Sequence, residues 1–147
     1  MATVFGFGVA ALGPAMPSLR DDLGISRTIG GLHFTAIAGG SVVAGIVVDR
    51  IIRRWGRRAV FWWGGAGIAA GALLIGLGGH PAVTLIGGLL IGSLGAMMMA
   101  VAQSTVADAH PFHRAVALTE LSTSMSVGTV IPALLIGASL AIGAGWR

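Results

Sequence analysis

The chain has 147 residues, of which 55% are hydrophobic and only 10% charged, with a formal net charge of +4. A soluble domain carries about 25% charged residues and the mean hydropathy here is +0.91, so composition excludes a water-soluble fold and fits one membrane-embedded, all-α domain. There is no Cys, which rules out disulfides, thiolate metal sites and Cys nucleophiles.

The first apolar run, residues 3–17, contains Gly6, Gly8, Gly13 and Pro14. It is shorter than the ~20 residues that a hydrocarbon core of ~30 Å requires. No basic flank precedes it, so it does not read as a cleavable signal, and the true N-terminus is expected upstream. Residues 18–27, SLRDDLGISR, set two Arg against two Asp, as in a balanced external loop. The second span, 28–48, carries His33 near its external end and small residues at Thr35, Gly39, Ser41 and Gly45. Spacings of four place such residues on one helix face, where backbones approach closely.

Residues 45–58, GIVVDRIIRRWGRR, hold five of the nine Arg: Arg50, Arg53, Arg54, Arg57 and Arg58. A charged knot between two bilayer-length apolar runs predicts a short loop, and its Arg content predicts that it faces the cytoplasm. The absence of Lys and this concentration of Arg mark orientation beside anionic lipid rather than a nucleic-acid groove.

The third span, 59–79, has Trp62 and Trp63 at its cytoplasmic end and Gly67 and Gly71 in GxxxG spacing. His80-Pro81 predicts an external turn. The fourth span, 83–106, repeats the small-residue spacing at Gly88 and Gly92, then runs through Met97, Met98 and Met99 to Gln103, Ser104 and Thr105. DAHPFHR, residues 108–114, predicts a second cytoplasmic loop, with Pro111 in the first turn of the next helix. His110 and His113 lack metal-ligand spacing. The fifth span, 115–142, contains Glu120 and a polar run at Ser122, Thr123, Ser124, Ser126 and Thr129; residues 143–147 are expected outside. Five spans with ragged ends predict an incomplete bundle.

Glu120 is the single acid inside an expected span. Ionisable residues there are costly and face protein or a water-filled cavity. It reads either as a proton or solute carrier, or as an interfacial Glu paired with Arg114 or an Arg of the knot. His33 reads as a proton or solute contact, or as an interfacial His satisfied by water. Gln103 and its neighbours either line a cavity or bond to adjacent helices.

Gly45-x-x-x-Asp49-Arg50 followed by Gly56-Arg57-Arg58 resembles the G-x-x-x-D-R-x-G-R-R signature of major facilitator superfamily transporters, with four extra residues, about one helical turn, before Gly56. GPAMPSL at the end of the first span, the acid-to-Arg segment from Asp108 to Arg114, and Gly145-Trp146-Arg147 are similar to family segments in the same order. The resemblance covers the whole chain as the first five helices of a twelve-helix protein. The Arg often found in the family's fourth helix has no counterpart in GGLLIG, and the fifth-helix antiporter signature is partial, with Gly128 and Pro132 but Ile131 at a Gly position.

The resemblance implies alternating access for a small solute, coupling to H+, and a missing C-terminal half as partner. It also implies a cytoplasmic gate at Gly45, Asp49, Arg50, Arg54, Gly56, Arg57, Arg58 and Arg114. Asp49, placed at the C-terminal end of its helix, would need an Arg or a helix N-terminus as partner. The rival reading of the knot is topology alone, and that of the chain is a non-transporting membrane scaffold. No nucleotide is implied, since there is no GxxxxGK[ST] loop, and no cofactor is expected. A membrane enzyme is disfavoured because Glu120, His33, Asp49 and Asp108 are scattered over both sides.

Overall fold

The computed structural model describes residues 2–142 and is built of four helices: α1 (Ala2–Leu23), α2 (Arg27–Leu77), α3 (Pro81–Ala109) and α4 (Arg114–Ala141). Each is long and apolar enough to cross a membrane. The tail 143–147, with Trp146 and the GWR segment, lies outside the described residues.

α1 corrects the expected boundary at residue 17. Pro14 and Pro17 lie inside the helix, which continues to Leu23. The residue that carries it past the prolines is Leu19, fully buried in a cluster with Leu12, Met16, Ile37, Ile75 and Ile91. The helix stops at Gly24, whose φ of +60° is the left-handed cap position. Ile25 N–H then donates to Arg20 O at 3.1 Å, the six-to-one bond of a Schellman motif. The external loop expected over 18–27 shrinks to a turn, because Ser26 at once caps α2 by accepting from Ile29 N–H.

α2 corrects the knot in the same way. Residues 50–55 are helix rather than loop, and the helical conformation breaks at Gly56 alone, with φ 82° and ψ 155°. Arg and Ile are acceptable helix residues, and half-buried Ile51 and Ile52 pack beside Ala44, Val60, Met97 and Val101. Asp49 therefore sits within the helix rather than at its end. The backbone at Gly56 occupies a region open essentially to Gly only, and there the chain reverses. Gly40 and Gly71 would stand roughly 45 Å apart on a straight helix. Both instead touch one stretch of α3, Gly40 at Leu89, Gly92 and Ser93, and Gly71 at Gly87 and Ile91. α2 is thus a hairpin of an N arm (27–55) and a C arm (57–77).

α3 lies between these arms. Three side-chain contacts join α2 to α3 at one offset, 51 residues: His33 with Thr84, Ser41 with the Gly92 carbonyl, and Arg57 with Asp108. A constant offset means that the N arm runs parallel to α3, and the C arm, reversed, antiparallel. α1 packs its Phe5 against Gly95, and α4 lies along α1 where Gly128 meets the Thr3 backbone and Gly6 meets that of Met125. α4 is the least covered helix, with Gly128 and Pro132 its buried residues.

Candidate functional site

The expected site residues fall into three places rather than one. At the Arg-rich turn, Arg57 Nη1 donates to Asp108 Oδ2 at 2.6 Å, tying the start of the C arm to the end of α3. Arg53 pairs with Asp49 one turn away on its own helix, at 3.0 Å. The partner of Asp49 is thus local, and the cross-helix acid is Asp108. Arg114 opens α4 and its Nε donates to Ala107 O at 3.4 Å, which satisfies a carbonyl at the end of α3. Pro111 does not enter α4; it stays in the turn before Arg114. Arg54 holds its guanidinium 5.8 Å from the Trp55 ring centroid, and Trp55 meets Trp63 edge to face at 4.7 Å. Gly45 is exposed, with open space where a Cβ would stand. Arg58 is exposed at the rim of an apolar groove walled by Phe61, Val101, Val106 and Leu121.

The second place is the groove between α3 and α4, about 560 Å³, where Gln103, Ser104 and Ser122 come together with Leu118. The polar run of α4 is exposed at Ser122, Thr123, Ser124 and Ser126 and half-buried at Thr129. Its hydroxyls donate to carbonyls one turn back: Ser122 to Leu118, Thr123 to Thr119, Ser124 to Glu120 and Ser126 to Ser122. These bonds satisfy the donors within the helix and leave oxygen lone pairs free to accept. Glu120 and Thr123 line a second groove with Thr119 and Ala115; at about 100° per residue Thr123 stands about 60° from Ser126, and Glu120 about 120°. Glu120 is exposed and, among the described residues, has no ion-pair partner. Neither Arg114 nor the turn neutralises it.

The third place is the opposite end of the bundle. His33 is fully buried, which corrects the expectation of a His facing water or solute. Its face is the one packed on α3. Nε2 lies 2.8 Å from Thr84 Oγ1 and Nδ1 3.0 Å from Ile29 O, while Thr84 also donates to Pro81 O. A buried polar pair of this kind stays satisfied without water. Thr84 carried no signal in the sequence, and Asp108 stood out only as the acid that opens the 108–114 segment, without a partner. Each is identified by a partner 51 residues away.

An all-helical bundle of four long apolar helices, joined by an Arg-rich turn and leaving a polar helix face uncovered, has the architecture of an integral membrane protein. The Major Facilitator Superfamily model matches residues 1–147, and the chain belongs to that superfamily of transporters. Comparison with curated proteins and with solved structures returns no match.

Proposed function

We propose that this chain supplies five membrane crossings of one half of a secondary transporter, the two arms of α2 counting separately, and that it moves a small solute by proton-coupled alternating access. The observation that carries the reading is the uncovered polar face of α4 beside Gln103 and Ser104. Within a bilayer such a face needs water or further protein against it. A solute pathway closed by the remaining helices of the transporter supplies both. Gln103, Ser122 and Ser126 line that pathway, and Glu120 with Thr123 borders it as the proton-binding group. The Arg-rich turn and residues 110–113 lie at the cytoplasmic membrane face, as the positive-inside rule requires. There Arg57 and Asp108 act as the gate contact, made in one access state and broken in the other, while Asp49 and Arg53 stiffen the arm beside it.

Glu120→Gln in the full transporter tests the coupling. The variant keeps the side chain's size and removes its carboxyl. Uptake driven by a pH gradient in proteoliposomes should fall by about tenfold or more, as for loss of a general acid–base group, while gradient-independent exchange of solute persists. Unchanged gradient-driven uptake would remove Glu120 from the mechanism.

A further inference from the structure

The four residues that lengthen the Arg-rich signature build a full extra turn on the N arm, and that turn creates a surface the shorter form would lack. It adds Arg53, Arg54 and Trp55 beyond Arg50. Arg53 is engaged by Asp49. Arg50 and Arg54, one turn apart on a shared face, are exposed and have no carboxylate partner among the described residues. Arg54 instead lies over Trp55, which is braced by Trp63 on the C arm. Below the two guanidinium groups the same face continues into exposed Val43. At about 100° per residue this face stands roughly 100° or more from that of Gly45 and Asp49, and neither Arg takes part in the Arg57–Asp108 contact.

From these placements we propose that Arg50, Arg54 and the Trp55–Trp63 pair form a binding site for an acidic phospholipid. The headgroup phosphate sits between the two guanidinium groups and an acyl chain lies along Val43. The charge complementarity is specific. Guanidinium forks match phosphate oxygens, Trp rings seat at headgroup depth, and each Arg near an anionic bilayer surface contributes about fivefold to binding. The site goes beyond solute transport and stands or falls by lipid binding alone.

The test uses the full chain in nanodiscs of phosphatidylcholine mixed with phosphatidylglycerol, followed by detergent extraction and native mass spectrometry of the retained lipid. Phosphatidylglycerol should be retained in preference to phosphatidylcholine. Arg54→Gln and Arg50→Gln should each lower that preference about fivefold, whereas Arg53→Gln, at a residue already paired, changes it far less. Excess soluble glycerol phosphate should leave the bound lipid in place. Three results would overturn the proposal: no preference for phosphatidylglycerol, equal losses for Arg53→Gln and Arg54→Gln (a diffuse charge effect), or displacement by glycerol phosphate (a free-phosphate site). All three substitutions are at exposed side chains, and circular dichroism of each variant checks that the helices persist.

Discussion

Gly92→Leu should cost about 2–3 kcal/mol and lower the thermal midpoint in detergent by about 10 °C, because Gly92 is where α3 meets the N arm of α2 backbone to backbone. A Cβ there would lie 2.7 Å from Ile37 Cα and 2.8 Å from Ile37 C. Neither atom can rotate away as a side-chain end could, so the helices must separate. Separation would also stretch two contacts of the same register, Ser41 Oγ to Gly92 O at 3.1 Å and His33 to Thr84 at 2.8 Å. Gly39→Leu is the matched control. It lies on the N arm that Gly92 packs against, with open space where its Cβ would be, and Leu has the better helix propensity. The control should melt at or slightly above the parent temperature. Equal losses for the two variants would mean that Gly content, rather than this one crossing, sets stability.

Reversing one charge at the turn should impair transport about fivefold or more, and reversing both should restore most of it. Arg57 and Asp108 are about half exposed, so their pair contributes at most about 1 kcal/mol to stability. A bias of that size between two access states is nevertheless a factor of about five in their ratio. Arg57→Asp sets like charges against each other across the 2.6 Å contact, and Asp108→Arg does the same with the opposite sign. The double exchange rebuilds the pair. If the Arg residues only fix topology, the single variants transport normally once inserted; if each residue has an independent role, the double variant is worse than either. Initial rates of solute uptake at matched expression decide among these.

Much of the architecture was legible because membrane helices announce themselves by length and apolarity. The apolar runs flanking the Arg-rich stretch, the turn at His80-Pro81 and the close-packing roles of Gly67, Gly71, Gly88 and Gly92 all follow from the sequence. The same spacing also pointed to Gly39 and Gly45, which face open space. In a bilayer the lipid-facing and core-facing surfaces are equally apolar, so periodicity alone does not tell which small-residue face is packed. The helix ends were misplaced for a related reason. Charge was read as loop, yet Ile51 and Ile52 bury a face that keeps residues 50–55 helical, and Leu19 does so for α1 beyond Pro17. Among the site residues, the Arg cluster and the polar run of α4 stood out by composition. The burial of His33 and the role of Asp108 did not, since each depends on which residue of another helix lies opposite.

The central claim, that the polar face of α4 lines a pathway that opens and closes, is tested most directly by one accessibility measurement. The chain contains no Cys, so Ser122→Cys introduces its one thiol, and any Cys elsewhere in the transporter is replaced by Ser beforehand. In oriented membrane vesicles containing the full transporter, its labelling by an impermeant maleimide from the cytoplasmic side is followed with and without a proton gradient. The account predicts a rate that changes about fivefold or more when the gradient is imposed. A rate that is the same in both conditions would contradict alternating access at this face and leave α4 as part of a static scaffold.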